Sequence, residues 1–81
     1  MIIRMAHSAV RQYEHSPAAV RAACDKQLHF LLRNLRHPSL HAKKYEEHTG
    51  LWQGRINRNW RFYFFIRGDV YYVVSIRKHP K

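Results

Sequence analysis

The chain has 81 residues, 46% of them hydrophobic and 14% aromatic, with fifteen Lys and Arg against five Asp and Glu for a net charge of +10. That length predicts one small domain spanning residues 1–81, and that composition is not the composition of a disordered chain. The charge points to nucleic acid, an anionic membrane surface or an acidic protein as partner. Cys24 stands alone, so no disulfide framework forms, and the absence of CxxC and HExxH motifs argues against a structural or catalytic metal.

In chain order, Met1–Arg4 reads as a short strand around Ile2 and Ile3. Ser8–Glu14 reads as a short helix. Ser16-Pro17 predicts the start of a second helix, with Ser16 capping the exposed amides and Pro17 in the first turn, where its missing N–H is not needed. Val20, Cys24, Leu28, Leu31, Leu32 and Leu35 recur at steps of three and four, the stripe of an amphipathic helix. Pro38 disfavours helix at His37, so the helix is expected to end near Arg36. Residues 40–50 read as a loop with a short strand around Ala42–Tyr45.

From Leu51 the period changes to two. Leu51–Asn57, Trp60–Arg67 and Val70–Arg77 read as three strands, and Gly68-Asp69 suits a tight hairpin. Helices followed by a meander of strands predict an α+β fold: an N-terminal helical hairpin on a small twisted, mainly antiparallel sheet. The longest apolar runs, Phe62–Ile66 and Val70–Val74, are too short to span a bilayer. With no signal peptide visible, a soluble cytoplasmic protein with no membrane partner is expected.

Nine of the fifteen Lys and Arg lie in residues 41–81, which makes the sheet half the expected carrier of function. Alternation puts Trp60, Phe62, Phe64 and Ile66 on a core face, and Arg61, Tyr63, Phe65 and Arg67 on the other. The last strand divides into Val70, Tyr72, Val74 and Ile76 against Tyr71, Val73, Ser75 and Arg77. Aligning the core faces gathers Arg55, Arg61, Tyr63 and Arg77 on the opposite side. Arginine forks bind phosphate oxygens and aromatic faces stack on unpaired bases, so this cluster suits RNA; a merely solvated strand face is the other reading. His79 is a candidate general acid or base. Cys24, Trp52 and Trp60 read as core, and His29, His37, His41 and His48 have no spacing that singles them out.

The ordered set His37-Pro38-Ser39-Leu40, Ala42-Lys43-Lys44-Tyr45, Gly50-Leu51-Trp52 and Arg55-Ile56-Asn57-Arg58-Asn59-Trp60-Arg61-Phe62-Tyr63-Phe64 resembles the RelE/ParE toxin superfamily, and specifically its RelE-type members. The resemblance runs from the long helix to Pro80. It implies a RelE-like fold and the toxin of a bacterial type II toxin–antitoxin pair, a ribosome-dependent endoribonuclease that cuts mRNA in the ribosomal A site and inhibits translation. It also implies no cofactor and no metal, with the 2′-hydroxyl attacking the adjacent phosphate. The implied partners are a cognate acidic antitoxin, the ribosome with its mRNA, and operator DNA reached through the antitoxin.

By the same resemblance, Arg61 matches an arginine on the scissile phosphate, Arg55 a basic position on the preceding strand, and His79 a catalytic His or Arg after the last strand. Lys43, Lys44, Tyr63, Arg77 and Lys78 are the implied RNA contacts. Two departures stand out. Pro80 and Lys81 occupy the end where many relatives carry a base-stacking Tyr, leaving Tyr63 or Tyr71 as substitutes. Lys43 stands near the position where some relatives place an acidic base, with Glu46 and Glu47 following. Two other activities are compatible with the superfamily: a ParE-like gyrase poison, and a non-catalytic RNA-binding relative.

Overall fold

The computed structural model describes residues 1–79. Strand β1 (Ile2–Met5) is followed by helices α1 (His7–Glu14) and α2 (Ala18–Arg33), a 3-10 turn (Pro38–Leu40), and strands β2 (Lys43–Glu46), β3 (Leu51–Arg55), β4 (Trp60–Arg67) and β5 (Val70–Lys78). The five strands form one sheet in the order β1-β5-β4-β3-β2. All neighbours are antiparallel except β1, which runs parallel to β5. The expected α+β architecture is present, with that parallel edge added. The chain reaches β5 from β1 through every other element, so nothing local in the sequence marks their pairing.

Helix α2 buries Val20, Cys24, Gln27 and Leu31, spaced to fall on one face. Leu32, expected on that stripe, is exposed instead. The helix starts without the expected cap. Pro17 holds the cap position, and Ser16 Oγ turns back to donate to Tyr13 O at 2.7 Å, closing α1 rather than opening α2. The helix also ends at Arg33, with Asn34 already extended, three residues before the expected stop. The intervening turn brings Pro38 to the start of the 3-10 segment, where its ring fits the first turn.

The core lies between α2 and one sheet face. Phe62 and Phe64 are fully buried there, 5.4 Å apart between ring centroids, and Tyr71 meets Phe64 edge-on at 5.7 Å. Tyr71, Val73 and Ile76 of β5 are all buried. This corrects the expected alternation, which put Tyr71 and Val73 opposite Ile76. The ladder pairs Tyr63 with Ser75 but Phe64 with Val73, so Val74 is an extra residue on β5. Such a bulge reverses the inward parity of the strand.

The bulge also fixes how α1 is used. β1 covers the edge of β5 only as far as Val73. Beyond it, Ala6 N donates to Val73 O at 2.8 Å, Ser8 Oγ to Val74 O at 3.0 Å, and Ile76 N to Gln12 Oε1 at 2.7 Å. Side chains of α1 thus satisfy edge groups that a longer strand would otherwise pair.

Candidate active site

On the face away from α2, three arginines stand in one cross-strand row. Arg55 of β3 is paired with Arg61 of β4, and Arg61 with Arg77 of β5. Like charges directly opposite one another in a sheet are destabilising. The row therefore persists at some expense in stability, and it is suited to an anion laid across the strands.

Each arginine is held differently. Arg61 is half-buried, and its Nη1 donates to Asn57 O at 2.6 Å and to Trp60 O at 2.9 Å. Asn57 O belongs to the β3–β4 loop and Trp60 O to the first residue of β4. Asn57 also shapes the loop by accepting from Asn59 N at 2.9 Å and Trp60 N at 3.0 Å. One edge of the Arg61 fork is thus tied to backbone, and its remaining N–H groups have no partner among the described residues. Arg77 lies over the Tyr63 ring, 4.4 Å from its centroid, a cation–π contact.

Tyr63 itself is buried. Tyr45 packs edge-on against it at 5.0 Å, and Gln53 Nε2 donates to its hydroxyl at 3.2 Å. It is a platform for Arg77 rather than a surface for a base. Tyr71 belongs to the core, where burial raises its pKa. Neither expected substitute for a terminal stacking Tyr presents an open ring.

Beside the arginine row lies a cleft of about 410 Å³, lined by His41, Ala42, Lys43, Gln53, Arg55, Arg61 and His79. No carboxylate of the described residues lines it. One wall is the segment after the 3-10 turn, the floor is β3 and β4, and the far end is the end of β5. His79 is exposed, and its backbone N–H donates to Asn59 O at 2.6 Å, which extends the β4–β5 ladder by one residue.

Among the expected site residues, Arg55, Arg61, His79 and Lys43 share this cleft, and Tyr63 and Arg77 flank it. Lys44 and Lys78 do not line it. They pair with Trp52 and Trp60, on the alternate side of their strands. Glu46 lies past the irregularity in β2 and accepts from Thr49 Oγ1 at 2.8 Å, so it is not in the cleft either. Pro80 and Lys81 lie outside the described residues.

Two residues that the sequence did not single out complete the site. His41 lines the cleft from a left-handed backbone conformation, φ 46 and ψ 40. Gln27, buried on α2, donates from Nε2 to Ser39 O at 3.0 Å and to Arg55 O at 2.8 Å. It joins the wall that carries His41 and Lys43 to the strand that carries Arg55. An isolated buried Gln on an apolar stripe was the available signal, because a buried carboxamide needs partners.

No protein-family model matches the sequence, and no curated protein matches it. Solved structures do match in shape. The chain is similar to the YoeB/ParE toxin from Agrobacterium tumefaciens, with a TM-score of 0.82 at 19% identity over 99% of this chain and 100% of that one. It is similar to a chain of the RelB–RelE antitoxin–toxin complex from Methanococcus jannaschii, with a TM-score of 0.75 at 17% identity over 91% of this chain and 87% of that one. It is also similar to the isolated E. coli RelE toxin, with a TM-score of 0.79 at 17% identity over 99% of this chain and 85% of that one. The chain therefore has the RelE-like fold seen in the RelE, YoeB and ParE toxins, two helices on a five-stranded, mostly antiparallel sheet.

Proposed function

We propose that this protein is the toxin of a type II toxin–antitoxin pair and acts as a ribosome-dependent mRNA endoribonuclease. The observation that carries the reading is the cross-strand row Arg55–Arg61–Arg77 beside a cleft that no carboxylate of the described residues lines. Such a surface attracts a phosphodiester and repels nothing in it.

In this reading the substrate's own 2′-hydroxyl is the nucleophile, and no metal is required to generate one. Arg61, held by the backbone carbonyls of Asn57 and Trp60, meets the charge that builds on the phosphate oxygens with donors already in place. Arg55 assists from the neighbouring strand. His79 acts as base or acid. Lys43 and Arg77 hold flanking phosphates, and Lys44 and Lys78 give weaker contacts outside the cleft. The cleft is open, so much of the rate comes from geometry that the ribosome imposes on the mRNA.

The +10 charge supports an acidic antitoxin as the second partner. So does the likeness to a chain of a RelB–RelE antitoxin–toxin complex. Contact with operator DNA goes through the antitoxin.

The test is to induce the protein alone and map mRNA ends on ribosomes. Wild type is expected to cut within translated mRNA and arrest growth, and Arg61→Ala to do neither while remaining folded. Growth arrest with DNA-damage signalling and uncut mRNA would replace this reading with gyrase poisoning. RNA binding without cleavage on ribosomes would leave a non-catalytic RNA-binding protein.

A further inference from the structure

We infer that His41 is the second acid–base group of the cleft, working with His79 as an opposed pair of imidazoles. The inference rests on the endoribonuclease reading above and assigns a role that reading leaves open. His41 and His79 line the same cleft, with Arg55 and Arg61 between the segments that carry them. Among the described residues that line the cleft there is no Asp or Glu, and the two histidines are the only ones of the type that most often serves as general acid and base.

The backbone at His41 supports the assignment. It is the only non-glycine residue with positive φ among the described residues. It closes the 3-10 turn, with its N–H donating to Pro38 O at 3.3 Å, a place where glycine meets the backbone requirement without strain. A side chain is kept there although the turn needs none, and it lines the cleft. Strained positions of this kind gather at functional sites.

The two imidazoles divide the proton transfers. One, unprotonated, takes the proton of the 2′-hydroxyl as the 2′ oxygen bonds to phosphorus. The other, protonated, gives its proton to the 5′ oxygen as the P–O5′ bond breaks. The products are a 2′,3′-cyclic phosphate and a 5′-hydroxyl, and no water or other reactant is consumed. The charged and titratable groups facing His41 are Lys43, Arg55, Arg61 and His79 in the cleft, and Arg36 and His37 in a hollow of about 200 Å³ on its other side.

The experiment is single-turnover cleavage of mRNA on programmed ribosomes between about pH 5 and 8, with wild type, His41→Gly and His41→Asn. Wild type is expected to show a bell-shaped profile. Both variants suit a left-handed backbone, so their melting midpoints should be no lower than wild type. Their rates should fall by about 10²-fold or more, with one limb of the bell lost. Free imidazole should restore part of the rate to His41→Gly. The lost limb says which role His41 has: the acidic limb for a base, the alkaline limb for an acid.

Cleavage by His41→Gly within a few-fold of wild type, with both limbs kept, overturns the inference. So does a large loss that keeps both limbs and gains nothing from imidazole, which would make His41 an RNA contact. Wild type that cuts nothing on ribosomes instead overturns the endoribonuclease reading, and is seen before any variant is compared.

Discussion

Arg55 and Arg61 stand directly opposite each other on β3 and β4, with Arg77 next in the same row. Such opposition of like charges in a sheet is unfavourable without a bound anion. Arg55→Gln should therefore stabilise the free protein, by about 0.2–1 kcal/mol, while lowering cleavage. Sulfate should raise the melting midpoint of wild type more than that of Arg55→Gln, because an anion bound only by the folded state adds to stability. Chemical and thermal denaturation in sulfate and in chloride measure both effects. Equal sulfate gains in the two proteins would show that the row binds no anion.

Gly54 pairs with Phe62, and a Cβ at Gly54 would lie 2.3 Å from Phe62 Cζ. Phe62 is fully buried among Phe64 and the helix stripe, so its ring has nowhere to move. Gly54→Ala should destabilise by about 1–3 kcal/mol through overpacking. A urea midpoint within error of wild type would show that the ring yields freely.

Gln27 satisfies two backbone carbonyls, those of Ser39 and Arg55. Gln27→Leu fills similar space but strips both of their donor. The expected loss is about 1–3 kcal/mol for an unsatisfied buried group. Cleavage should fall further than stability explains, because the wall bearing His41 and Lys43 is no longer tied to Arg55. Comparison at a temperature where both proteins are fully folded separates the two effects, and an unchanged rate there would deny Gln27 any positioning role.

Burial pushes the Cys24 thiol from 9.0 up to about 12, with the nearby Asp25 carboxylate adding to the rise. A raised folded-state pKa means that the native chain holds its proton where the unfolded chain has released it. The thiol's contribution is therefore intact below pH 9.0 and lost as pH rises from there toward about 12. Cys24→Ala should lose stability less steeply than wild type over that range. In native wild type at neutral pH the thiol should resist alkylation until the chain unfolds. Rapid labelling without unfolding would place the thiol outside the core.

The elements with strong local signals were readable. The α2 stripe, the three-strand meander and the basic character of its far face all follow from apolar spacing and from Gly68-Asp69, which act over a few residues. The phase of β5 was not readable. Tyr71, Val73 and Ile76 share the core only because Val74 bulges against β4, and strict alternation carries no mark of an inserted residue. The Ser16 cap failed for a related reason: its hydroxyl found an acceptor on α1 instead.

By itself, then, the +10 sequence pointed to an anionic partner and gave an α+β domain with a row of arginines opposite the core, because charge and periodicity are local properties. Only the tertiary structure decided which cations meet in one cleft. It admitted Lys43 and excluded Lys44, buried Tyr63 and Tyr71, and brought His41 to the same cleft as His79. Those outcomes depend on a left-handed turn, a bulge and a buried glutamine joining segments distant in the chain. Such long-range geometry is set by the packing of the whole domain, and no short window of residues contains it.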